Sequence, residues 1–272
     1  MRIWLLWGTT MKADRRPSRF LAGLSGLLRG EFTRWYWRRI LLHTVVWTLL
    51  VTGIAWYLTT RVTGLDWRGF DLLLHIWWLV LPLGSIAIAQ NALIEERQTD
   101  TLSWIVSKPV SRPAFILSKV VSDSLGIILP AVVLQAAIAW WMLPVLDPAA
   151  GLPIRAPDAS RYLIVVGIEA TIVLLFVTLT ICASTIFRSR GPVAAIGLVV
   201  WVVLWNSPSD AIERMSIGGL VSGELSGEPF KPLAEYLVFE RTLDPVSGVY
   251  WTLMWAAFLT VAAIGIFRRE QL

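Results

Sequence analysis

The apolar residues of this chain neither alternate nor keep to one helical face. They run in blocks, and a helix needs about 20 apolar residues to cross a hydrocarbon core. Six blocks stand out, at 40–60, 71–94, 115–145, 162–187, 193–206 and 248–267, and they hold almost no charge. The pattern predicts an all-α integral membrane protein, a six-helix transmembrane bundle spanning residues 40–272. The fifth block is short for a crossing, so it is either a tilted span or the lead into a re-entrant segment. Ahead of the first block, Phe20, Leu21, Leu24, Leu27, Leu28, Phe32 and Trp35 recur at spacings of three and four. Basic residues occupy the opposite face. Residues 18–39 therefore read as an N-terminal amphipathic helix lying in the interface and turning into the first span.

Composition supports the pattern. Of 272 residues, 56% are hydrophobic and only 16% charged, and the mean hydropathy is +0.65; a soluble domain of this length carries more charge. The sixteen Trp suit a chain with much interfacial surface. Seventeen of the 24 Lys and Arg fall in the segments 1–39, 95–119, 188–192 and 268–272. By the positive-inside rule this predicts a multi-pass protein of the cell membrane with both termini cytoplasmic. Residues 3–7 are too short for a signal-peptide core, and Met1 and Met11 both stand as possible starts. A single cysteine, Cys182, builds neither a disulfide framework nor a metal site.

The loop after the second block, 95–113, carries the most information. Glu95, Glu96 and Arg97 mark the exit from the membrane. Thr101, Leu102, Trp104, Ile105 and Val106 form a short half-apolar helical stretch, Pro109 ends it, and Ser111-Arg112-Pro113 starts the next helix. Taken alone, this is either a surface helix packed on its own bundle or an element that presses on a cytoplasmic partner.

The loop resembles that of ABC-2 type transporter permeases, which reads as an acidic-Arg start, a Thr-Leu pair, an apolar stretch and a Ser-x-Pro-Val-Ser-Arg turn. Here these are Glu96-Arg97, Thr101-Leu102, Trp104-Ile105-Val106 and Ser107-Lys108-Pro109-Val110-Ser111-Arg112, with Lys119 at the mouth of the next span. The departure is Asp100, where the family often has Gly. The layout is similar too, with an inner helix carrying Arg29 and Glu31, six spans and a long outer segment before the last. The resemblance implies a transmembrane permease subunit of an ATP-binding cassette exporter working by alternating access. It implies a coupling helix that meets a nucleotide-binding ATPase subunit through Glu95, Glu96, Arg97, Thr101, Leu102, Trp104, Ser107, Pro109 and Arg112. It also implies a second permease copy or a homologous permease.

No P-loop occurs, and no Lys follows a Gly. The chain is therefore not expected to be an enzyme or to hold a cofactor; ATP and Mg are expected on the partner ATPase. No nucleophile–base pair, carboxylate dyad or metal-ligand set presents itself, and nothing points to nucleic acid. The segment 207–247 carries seven acidic and three basic residues and reads either as re-entrant helices or as a surface loop with one interfacial helix. Among polar residues within the blocks, Glu169 is the clearest candidate for a function, because a charge in the bilayer is costly. Asp123 lies one turn past Lys119, and an i, i+4 pair explains it. Two further classes of function compete with the permease. One is an ion-coupled secondary transporter with Glu169 as its titrating group, which predicts hydropathy repeats that the chain lacks. The other is a membrane scaffold that transports nothing.

Overall fold

The computed structural model describes residues 19–34, 37–58, 68–102, 110–142, 159–206 and 245–269. The described residues form helices and turns, with no strand among them. A 3-10 turn at Arg19–Leu21 leads into α1 (Leu24–Arg34). The predicted amphipathic helix is thus broken near its start, because Gly23 adopts φ +81°. The first span is α2 (Trp37–Trp47), a π-helical segment (Thr48–Gly53) and α3 (Ile54–Leu58) in continuous succession.

The second span is α4 (Arg68–Ala89), which passes through a one-residue turn at Gln90 into α5 (Asn91–Gln98). The Gln90 and Asn91 amides both donate to the carbonyl of Ala87, at 3.2 and 3.5 Å. The third is α6 (Arg112–Ile127), a second π segment (Ile128–Val133) and α7 (Leu134–Met142). Then come α8 (Ala159–Ile186), α9 (Arg190–Asn206) and α10 (Pro245–Arg269).

Among the described residues, four helical stretches are long and apolar enough to cross a membrane: Leu73–Gln98, Arg112–Trp141, Ala159–Ile186 and Val249–Arg269. The predicted first and fifth spans fall on the shorter apolar helices Ile40–Gly53 and Arg190–Leu204. The segment 207–244 and residues 143–158 lie outside the described residues, as does Trp35.

The centre of the bundle is α8, against which α4, α5, α6, α9 and α10 all pack. Its core side includes Val165, Ile168, Ile172, Val173, Phe176, Val177 and Ile181. The Thr and Ser hydroxyls of its stretch 171–185 are satisfied within the helix, as a lipid environment demands. Thr178 donates to Leu175 O (2.9 Å), Thr180 to Phe176 O (2.6 Å) and Ser184 to Thr180 O (2.7 Å). A glycine sets the approach of the first span to the second. The Trp47 indole lies where a Cβ on Gly84 would fall, 2.3 Å from its Cη2. At the end of α8 opposite the α5 contact, Tyr162 donates to Ala136 O at 2.7 Å and its ring packs against Trp140.

Candidate functional site

The sequence singles out the segment from Glu95 to Arg112, and its two described ends converge on one junction of helix ends. The second end starts with Ser111. Its side chain caps α6 by accepting from the Ala114 N–H at 3.3 Å, and Pro113 fits the first turn, where an N–H would be unsatisfied anyway. The same hydroxyl donates to Phe20 O at 2.5 Å, and the Ser111 N–H donates to Ala22 O at 3.0 Å. Gly23 follows directly. A Cβ there would lie 2.9 Å from Val110 Cγ2 and its φ is left-handed, so glycine answers both demands. Val110 and Ser111, just before α6, and the turn before α1 are thereby stitched together.

About two turns further on, α1 and α5 meet α6 through charge. The Lys119 ammonium lies 2.8 Å from Glu31 on α1 and 2.5 Å from Glu96 on α5. The side chains of Lys119 and Glu96 are each 2% exposed and that of Glu31 11%. Lys119 also lies over the Phe115 ring, 5.6 Å from its centroid, and Phe115 stacks on Phe267 of α10. Burying such ions is tolerable only when they are paired closely and hydrogen-bonded. Lys119, expected to pair with Asp123 along its own helix, makes close ion pairs with two other helices.

Two arginines finish helix ends. The last carbonyls of a helix lack partners and carry its negative dipole end. The Arg97 guanidinium donates to Phe187 O (3.1 Å), Thr185 O (3.2 Å) and Ser184 O, and so caps α8. Arg112 donates to Arg268 O (2.6 Å) and Phe267 O (3.4 Å), and so caps α10. On that same end, the Arg268 guanidinium lies over the Phe20 ring.

The sequence-derived residues separate by exposure. Glu95 and Thr101 are exposed; Glu96 and Leu102 are buried; Arg97 and Arg112 are half-buried. Trp104, Ser107 and Pro109 lie outside the described residues. The turn after α5 accounts for the family departure at position 100. Asp100 has φ +54°, the left-handed region glycine enters without penalty and Asp enters more readily than most residues. The Thr99 hydroxyl, donating to Glu95 O at 2.8 Å, and the Thr101 hydroxyl, donating to Glu96 O at 3.3 Å, close this turn. Glu169 is remote in sequence from all of this. It is fully buried in α8, and neither carboxyl oxygen has a hydrogen-bond partner among the described residues. The sequence reading did not include Glu31, Lys119 and Ser111 among the site residues. The signal that could have found them is a lone Lys at a span mouth with carboxylates on both neighbouring elements.

The described helices form a polytopic bundle tied together at one end by a polar junction. The family model for ABC-2 family transporter proteins matches residues 56–212. That is more than half of the chain, and it takes in both ends of the junction loop. The chain belongs to the ABC-2 transporter family: it is a multi-pass membrane protein and an ABC transporter permease. No curated protein matches it.

Proposed function

We propose that this chain is the permease half of an ATP-driven exporter of the cell membrane, with both termini cytoplasmic and its motor on separate ATPase subunits. Two permease chains, identical or homologous, would complete the assembly. The ATPase docks on the exposed surface of the segment 95–112, at Glu95 and Thr101, beside α1. The observation that supports this most is the mechanical role of the residues behind that surface. Glu96, Arg97, Ser111 and Arg112 join the segment to α1, α6, α8 and α10. A force on the segment therefore reaches four helices at once, which is what alternating access driven from outside the membrane requires. Glu169 supports a second reading, an ion-coupled carrier, since a buried carboxyl without a partner among the described residues is a common feature of ion pathways.

The two readings separate in one experiment. Extracted in mild detergent, the chain should co-purify with a P-loop ATPase, and Glu95→Lys should lose that ATPase while remaining membrane-inserted. Recovery of no ATPase, together with substrate flux driven by an ion gradient alone, would establish the carrier instead.

A further inference from the structure

The first and third spans each depart from α-helical geometry in mid-course, and they do so against one another. In the first, the Ile54 N–H reaches back five residues to Leu49 O; in the third, the Leu134 N–H reaches back five to Leu129 O. A π turn is wider than an α turn, is rarely found by chance, and is one of the identifiable causes of helix bending. The cause in the third span is legible: Pro130 lies inside the segment, lacks an N–H, and its ring crowds the carbonyl four residues back. The two irregularities lie beside each other: α2 packs on the second π segment and α7 on the first.

One side chain fastens them. Gln135, fully buried, donates through Nε2 to Thr48 Oγ1 and to Pro130 O, both at 3.0 Å. Its Oε1 accepts from Thr52 Oγ1 at 2.6 Å. Both amide donors and the carbonyl are thus engaged, and Thr48 and Thr52 sit one turn apart inside the first π segment. In hydrocarbon each of these groups must find its partner within the protein. A reversible polar clasp at the only two π segments among the described residues sits where bending costs least.

We propose that the paired π segments are a hinge of the transport cycle and that Gln135 is its positioning residue. The halves on the junction side move as a unit: α6 is held to α1 and α5 by Lys119 and to α10 by Arg112. The far halves, α3 and α7, swing about the π segments when the clasp opens. The hinge rests on the alternating-access reading for its purpose, but its test needs no ATPase, so the two fail separately.

The test is distance measurement by paired spin labels on the full chain in lipid nanodiscs, in a Cys182→Ala background. One pair, Tyr57→Cys with Trp141→Cys, reports the far halves; both positions are well exposed, at 62% and 76%. The other, Leu41→Cys with Val121→Cys, reports the junction side. Gln135→Leu should broaden the far-pair distribution and add a longer component, leaving the near pair unchanged. Thr52→Val, which removes one bond, should give the same change to a lesser degree, and Thr52→Ser should restore the parent distribution. If Gln135→Leu does not insert, Thr52→Val alone decides. Unchanged far pairs, or near and far pairs broadening together as in a loosened bundle, would overturn the hinge.

Discussion

Lys119→Met removes the cation that pairs with both Glu31 and Glu96 while keeping the length of the side chain. Two buried carboxylates, 2.8 and 2.5 Å from the lost ammonium, each lose that ion pair. Breaking a buried ion pair by deleting one partner costs about 3–5 kcal/mol. That corresponds to roughly two to four powers of ten in the ratio of folded to unfolded chain. The sign of a second variant follows from the same physics. The pair gains little over neutral residues of similar volume, because desolvation offsets most of the attraction. Glu31→Gln, Glu96→Gln and Lys119→Met together should therefore recover most of what Lys119→Met alone loses. Unfolding in mixed micelles of a mild detergent and SDS measures both. A loss below about 1 kcal/mol for Lys119→Met, or a triple variant no more stable than the single, would refute the ion cluster as the joint between α1, α5 and α6.

Glu169→Gln should raise the stability of this conformation by about 1–3 kcal/mol in the same assay, since it removes an ionisable group buried without a partner among the described residues; transport should change with it, and full transport with unchanged stability would reduce Glu169 to packing. Gly84→Val drives a branched side chain into the Trp47 ring and should cost about 1–3 kcal/mol or prevent insertion, which thermal stability after extraction reads directly. Arg97→Lys should lose most of the α8 cap, because an ammonium cannot reproduce a fork on three carbonyls; faster proteolysis near 187 would register it, and unchanged cleavage would count against the cap. Asp100→Gly should be neutral or stabilising and Asp100→Val destabilising by about 1–2 kcal/mol, given the left-handed backbone there; equal stability of the two would contradict that geometry.

Hydropathy located the spans because lipid imposes a single requirement, length and apolarity, that the sequence displays residue by residue. The described helices at Arg112–Trp141 and Ala159–Ile186 match the blocks from 115 and 162 closely for that reason. The π segment at Thr48–Gly53 was not legible, since it has no Pro and its contact with Gln135 comes from another span. The junction was legible as a motif but not as a mechanism. Glu96 and Arg112 look in sequence like charges offered to a partner, yet the structure places Glu96 in a buried ion pair and sets Arg112 on the end of α10. Exposure of that kind is decided by tertiary packing, which a loop sequence does not encode. Glu31 lies outside the residues matched by the family and is visible in sequence only as a charge on the inner helix; its place in the junction comes from its pairing with Lys119.

The central claim is that force enters this permease through the surface in front of the junction. It is tested most directly by placing a photo-crosslinking residue at Glu95 or Thr101, co-expressing the chain with the P-loop ATPases of its host, and identifying the adduct by mass spectrometry. The account predicts one ATP-binding cassette subunit, crosslinked at these two positions and not at Trp141, with a yield that changes when ATP is bound. An ATPase adduct absent from both positions, or equally abundant at Trp141, would contradict it.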